Sequence, residues 1–209
     1  MNAKNANKIG VFKKTAFAFI CVHLRTVILL LAATTVQAGQ EPDPQLRAVL
    51  MQAISTADSF DHRFDAEVWL ADMSDRLIRY IPKALQETGE RLDFLKLVHS
   101  ESKLAKVPPE LVMSVIEVES RFDRFAVSVS GAQGYMQVMP FWLKELDRPY
   151  DNLFHAKTNL RMGCTILKFY IDKEKGDLVK GLARYNGSYG RPKYPYKVLE
   201  ALNRRWFRE

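Results

Sequence analysis

An all-helical fold is the class this sequence predicts, and three observations carry the prediction. Apolar residues recur at spacings near three and four along most of the chain. Val, Ile and Thr runs with two-residue alternation are nearly absent. Prolines precede or open several of the periodic segments, where a missing N–H costs a helix nothing. With 209 residues, 47% hydrophobic and 26% charged, the chain is long enough for one domain of ordinary size, or one domain with a small helical appendage.

The first 38 residues differ from the rest. Lys4, Lys8, Lys13 and Lys14 form a basic start without an acid, Thr26 to Thr34 (TVILLLAAT) is apolar, and Val36-Gln37-Ala38 offers small residues for cleavage. This pattern predicts a secretory signal over residues 1–38, and hence an exported protein, periplasmic or associated with the cell wall after cleavage. An uncleaved anchor across Thr15 to Ala38 would set His23 and Arg25 in mid-span, and its unbroken apolar part falls far short of the roughly 20 residues a bilayer needs. Cys21 follows the bulky pair Phe19-Ile20, a poor context for lipid modification.

All five charged residues of that segment are basic, so its removal leaves 26 basic against 24 acidic residues. The formal charge of +7 is therefore mostly a property of the leader, and nucleic acid is not implied as a partner. Arg204, Arg205 and Arg208 read as a solvated helix end, where cations complement the dipole. Only Cys164 remains after cleavage, so the fold has to hold by packing, without an internal disulfide.

Taken in order, residues 39–100 predict an N-terminal helical region, with a soft boundary between Thr88 and Lys106, and residues 101–209 a second region that carries a polar loop. QLRAVLMQAISTADSF follows the prolines at 42 and 44; RFDAEVWLADMSDRLIRYI places Phe64, Val68, Leu70, Met73, Leu77 and Ile81 at spacings near three and four, and both read as amphipathic helices. TGERLDFLKLVHSESKLAKV repeats the pattern with Leu92, Leu95, Val98 and Leu104. Pro108-Pro109 opens PELVMSVIEVES, which is apolar on nearly every side and so predicts a helix inside the core. PFWLKEL, KTNLRMGCTILKFYIDKEKG, DLVKGLARY and YPYKVLEALNRRWF complete the helices.

The buried helix raises a chemical question, because it contains Glu117 and Glu119. A carboxylate in an apolar setting is costly unless paired, and it relieves the cost by raising its pKa and keeping its proton, which makes it a candidate general acid. Two residues apart is about 200° around a helix, so at most one of the pair faces a given cleft. Periodicity does not choose between them. Glu119 has the better case, since the helix is expected to end at Ser120 and a last-turn residue can reach a cavity from an anchored backbone. The structural alternative is an ion pair of either glutamate with Arg121 or Arg124.

The loop that follows gathers Ser128, Ser130, Gly131, Gln133, Gly134 and Gln137, a set suited to hydrogen-bonding a hydroxyl-rich ligand or, equally, to capping turns. Further on, ARYNGSYGRPKYP brings Tyr185, Asn186, Tyr189 and Tyr194 into a glycine-punctuated stretch where aromatic faces could carry sugar rings; the same composition also serves plain turns. His62, His99 and His155 lack any metal-ligand spacing, so no metal and no cofactor are expected.

Four fragments in order, E119-S120-x-F122, A126-x-S128-x-x-G131-A132-x-G134-x-M136-Q137-x-M139-P140, N159-x-x-x-G163 and A183-x-Y185-N186, resemble the soluble lytic transglycosylase domain, glycoside hydrolase family 23, from about Leu104 to Leu202. The resemblance implies a goose-type lysozyme-like helical domain with an N-terminal helical extension. It implies cleavage of the MurNAc-β-1,4-GlcNAc bond of peptidoglycan without water, giving 1,6-anhydro-muramyl ends, with glycan strands as the partner, further cell-envelope proteins possible, and a monomer expected. Glu119 stands at the family's catalytic glutamate, acid first and base second. Gln137 and Met139 match groove-lining positions, Tyr185 the tyrosine whose hydroxyl lies near that glutamate, Ser120 the serine beside the acid, and Ser128 and Asn186 polar motif positions. All six are carried over as substrate-binding.

The sequence departs from the pattern at Tyr135, where leucine is usual, at Arg184, where a small residue precedes the tyrosine, at Ile166, where tyrosine is common, and at Gly187-Ser188, inserted into the usual Asn-Ala-Gly. A lysozyme-type hydrolase remains as an alternative and would need a second carboxylate, about 5 Å away for retention or 6.5–9.5 Å for inversion. Asp147 and Asp151 stay open for that role, while Asp123 is expected to satisfy its turn. A non-catalytic wall-binding factor is the third reading.

Overall fold

The structure is a computed structural model that describes residues 43–55 and 63–207; the expected leader over residues 1–38 lies outside them. Pro42–Glu209 form one compact unit. Among the described residues there are eight α-helices and a terminal π-helical turn: α1 Pro44–Ser55, α2 Arg63–Tyr80, α3 Thr88–Leu104, α4 Pro109–Ser120, α5 Phe141–Glu145, α6 Ala156–Lys173, α7 Leu178–Tyr185, α8 Lys193–Ala201 and the turn Leu202–Trp206. The fold is all-α, as its periodicity predicts. No helix among them is long and apolar enough to cross a membrane.

Aspartate side chains cap two of the helices. Asp43 caps α1, its Oδ1 accepting from Gln45 N at 3.0 Å, and its other oxygen receives Lys173 Nζ at 2.6 Å, which ties α1 to the end of α6. Leu46 and Leu50, one turn apart, are fully buried. On α2 the inward stripe is Trp69, Met73 and Leu77; the expected Val68 is 41% exposed, because a stripe at four-residue spacing from Met73 falls on Trp69. The buried face of α3 includes Phe94, Leu95 and Val98. Asp177 caps α7 by accepting from Lys180 N at 3.0 Å.

α6 is the central post, with α1, α3 and α7 packed around it, while α4 lies against α3, α8 and the terminal turn. α3 and α6 are also joined by a buried ion pair, Glu101 with Arg161, one of whose hydrogen bonds is 3.0 Å long. Such a pair contributes little net stability over an apolar equivalent but fixes how the two helices meet. The chain end departs from expectation. YPYKVLEALNRRWF predicts one helix with a solvated basic end, but the α-helix stops at Ala201, and the wider π turn after it carries Arg205 and a fully buried Trp206 against α4.

Candidate active site

The site is built on the last turn of α4. Pro109 and every residue from Leu111 to Ile116 are buried, so the helix is anchored before its final turn emerges. It ends at Ser120, where the sequence places the end, because Arg121 takes a left-handed conformation (φ 52°) and its N–H returns to Glu117 O at 3.1 Å.

The two glutamates then diverge. Glu117 receives Arg205 Nε at 2.9 Å and the indole N–H of Trp206 at 2.8 Å on one oxygen, and Arg205 Nη2 at 2.9 Å on the other. The expected ion-pair alternative thus applies to Glu117, with Arg205 rather than Arg121 or Arg124 as the cation. Glu119 is half-buried, pairs with no cation among the described residues, and accepts a hydrogen bond from the Tyr194 hydroxyl at 2.6 Å. Burial pushes its pKa up to about 7, and hydrogen bonds from Tyr194 and Asn186 hold it back only in part.

The loop between α4 and α5 is held by Asn159 of α6. Its Oδ1 accepts from Met136 N at 2.8 Å, and its Nδ2 donates to Gln133 O at 2.8 Å and to Leu153 O at 2.9 Å. Gly134 (φ +74°) lies so close that a Cβ would stand 2.5 Å from both Asn159 Nδ2 and Leu153 O, and a Cβ on Gly163 would meet Met136 Sδ at 2.5 Å. The glycines and the asparagine of the motif are therefore a packing set. Tyr185, at the end of α7, donates to Met136 O at 2.7 Å, which pins the loop from the other side. Burial and the nearby Glu119 charge both push its hydroxyl, and that of Tyr194, well above the usual tyrosine range, so both stay donors.

The other sequence-derived residues fall into two sets. Asn186 caps the C-terminus of α7 beside Glu119, so Glu119, Tyr185 and Asn186 are brought together. Ser120 Oγ instead donates back to Ile116 O at 3.1 Å. Ser128 Oγ accepts from Ala132 N at 3.0 Å and pairs with Ser130 Oγ at 3.1 Å in its own turn. Gln137, at φ 50°, donates its amide to Gly134 O at 2.9 Å and Ala126 O at 3.1 Å. Half-buried Met139 packs against the core. Asp123 caps its turn, accepting from Phe125 N at 2.8 Å, and Asp151 is paired with Arg148 at 2.5 Å. Sequence reasoning placed Tyr194 in a sugar-carrying loop and missed its bond to Glu119; the two are 75 residues apart, and periodicity relates only near neighbours. Tyr189 is stacked under Arg184, whose guanidinium lies 4.1 Å from the ring centroid and also pairs with Glu174.

Residues 96–197 match the family of the transglycosylase SLT domain. Over those 102 of its 209 residues the chain is similar to the SLT-domain family. The chain is similar to a curated "Transglycosylase" of Enterobacteria phage PRD1, 28% identical over 119 residues, which cover 54% of this chain and 44% of the relative. It is also similar to "Membrane-bound lytic murein transglycosylase C" of Actinobacillus pleuropneumoniae, 43% identical over 89 residues, 38% of this chain and 24% of the relative. The matched stretch thus spans less than half the length of either relative. Among solved structures, an inactive mutant of lytic transglycosylase Slt from Pseudomonas aeruginosa aligns with a TM-score of 0.43 at 23% identity, over 66% of this chain and 26% of that one.

Proposed function

We propose that the protein is a lytic transglycosylase that cleaves the MurNAc-β-1,4-GlcNAc bond of peptidoglycan, with Glu119 as its single acid and base. The observation that carries this reading is the environment of Glu119: half-buried, bonded to Tyr194, paired with no cation among the described residues, and with its pKa pushed up to about 7 by burial. Such a group is divided between its two protonation states at neutral pH, which suits one carboxyl that must first give a proton and then take one. The names of the relatives point to the same chemistry.

In the first step the carboxyl proton of Glu119 passes to the glycosidic oxygen as its bond to C1 breaks, and the leaving sugar departs as an alcohol. The N-acetyl oxygen of the substrate stabilises C1. In the second step O6 bonds to C1 while Glu119 takes the proton from the O6 hydroxyl, which restores the acid. No water enters, and the product carries a 1,6-anhydro ring. Of the acids weighed for a two-acid hydrolysis, Asp123 is used by its own turn and Asp151 is paired with Arg148, which favours the single-carboxyl route. Tyr194 orients the carboxyl. Asn186, Tyr185, Gln137 and Met139 line the glycan groove, while Ser120 and Ser128 shape it through the backbone. The basic and apolar N-terminal segment supports export to the compartment that holds this substrate.

Mass spectrometry of muropeptides released by the protein tests the reading. Anhydro ends that resist borohydride reduction are expected, and reducible ends would replace the proposal with hydrolysis. Glu119→Gln should lower turnover by at least about a thousandfold with the fold retained, since the amide keeps the shape and cannot deliver a proton. Unchanged turnover in that variant would remove Glu119 from the chemistry.

A further inference from the structure

A cavity of about 780 Å³ lies at the end of α4, with Glu117 and not Glu119 in its lining. Its walls are the α2–α3 connection from Tyr80 to Leu85 and the loop from Arg121 to Phe125, and Glu90 and Tyr135 also line it. Three non-glycine residues of this lining hold left-handed backbone: Leu85 (φ 48°), Arg121 (52°) and Phe122 (64°). A conformation that L-residues avoid, repeated three times around one cavity, requires the surrounding packing to enforce it.

Tyr135 is the second sign. It is 3% exposed, and its ring packs on Phe94 at 4.6 Å between centroids. Its hydroxyl makes no hydrogen bond with any described residue and is not closed off as the ring is, so it is open to a ligand from the cavity that Tyr135 lines. It feels Glu90, Arg124 and Asp123, all of which line the cavity, and burial first, then Glu90, pushes its pKa up to about 12, so it is a standing donor. The leucine usual at this position would bring no polar atom there.

The charges around the cavity are unevenly used. Glu117 is taken by Arg205 and Trp206, and Asp123 by the Phe125 N–H. Arg124 donates to Phe154 O at 2.6 Å. Arg121, Lys83 and Arg124 are exposed and form no ion pair with a described residue, and Glu90 and Asp123 form none either, so three cations stand against two acids. Phe125, 67% exposed, and Ile81 supply apolar wall.

We propose that this cavity is a second ligand site that takes the free carboxylate end of a short peptide. Arg121 and Lys83 receive the carboxylate, the Tyr135 hydroxyl donates to a peptide carbonyl, and Phe125 and Ile81 lie against an apolar side chain. The volume suits a ligand of that size, and a guanidinium is the side chain best matched to a carboxylate. The proposal does not depend on the role assigned to Glu119.

The test is an NMR titration of the full chain with N-acetyl-Ala-Phe-Ala, with the same peptide as its C-terminal amide, and with a pentapeptide ending in D-Ala-D-Ala. The free acid should bind saturably, with shifts confined to residues 81–85, 121–125 and 135, and the amide at least about tenfold more weakly. Tyr135→Phe and Arg121→Gln should each weaken the acid by about tenfold with circular dichroism unchanged. Glu119→Gln should bind like the parent whether or not it cleaves wall material. Tighter binding of the D-Ala-D-Ala peptide would identify the wall's own peptides as the source, and tighter binding of the all-L peptide a protein C-terminus. Absence of saturable binding, equal binding of acid and amide, or shifts centred on Glu119 and Tyr194 would overturn the proposal.

Discussion

Glu117 and Glu119 leave the same turn of α4 on opposite sides and meet opposite surroundings. Glu117 finds a guanidinium and an indole N–H, three hydrogen bonds between 2.8 and 2.9 Å. Glu119 finds one phenol at 2.6 Å and otherwise burial. The first arrangement fixes a charge as part of the scaffold, and the second leaves a carboxyl that changes its protonation near neutrality. Two residues of helix therefore separate a strut from a candidate reacting group, and what divides them is the C-terminal π turn, which brings Arg205 and Trp206 to one side only.

The sharpest way to break this contrast is through stability. Glu117→Ala should cost about 3 kcal/mol, since it strands a partly buried guanidinium and an indole N–H. At this chain length a Tm drop of roughly 5 °C or more in a thermal melt would register it. An unchanged Tm would show that the Arg205 pair is not structural. Glu119→Gln should act in the opposite direction. The folded pKa of Glu119, about 7, lies above the ordinary 4.5, so the folded state holds a proton that the unfolded state has lost. Stability is then fully present below about pH 4.5 and falls as pH rises to about 7. Replacing the acid by a neutral amide removes that loss, and the variant should gain on the order of 2 kcal/mol at pH 8, with the gain shrinking toward pH 5. A gain independent of pH would mean that Glu119 does not titrate as its surroundings imply.

The same contrast marks what the sequence could and could not carry. The end of α4 was legible because a run of apolar residues closes on Glu-Ser-Arg, and the Asn159 and Gly134 positions were legible as motif residues, although their work as one packing set is visible only in three dimensions. A helix face drawn from spacing alone took Val68 for core, whereas the stripe through Met73 and Leu77 selects Trp69. Arg205 read as a solvated helix end because nothing local announces a π turn, and its carboxylate lies 88 residues away. Tyr194 escaped for the same reason: composition placed it in an aromatic loop, but only folding brings α8 alongside α4. Side chains that touch across such separations leave no periodic trace, and they decide which of two neighbouring glutamates keeps a mobile proton.

The finest test separates the two tyrosines. Tyr185 and Tyr194 are both buried phenols that feel the charge of Glu119, but Tyr194 donates to its carboxylate while Tyr185 donates to Met136 O. A hydrogen bond to a carboxylate favours the ionised form, so Tyr194→Phe should raise the pKa of Glu119 by about half a unit to one unit. Because the first step needs the protonated acid, the falling limb of kcat/KM, expected near pH 7, should move to higher pH by that amount. Tyr185→Phe should leave the limb in place and lower Tm instead, since it strands the Met136 carbonyl at the cost of about 1 kcal/mol. A shifted limb in Tyr185→Phe with none in Tyr194→Phe would exchange the two roles and make Tyr185 the phenol that holds the acid.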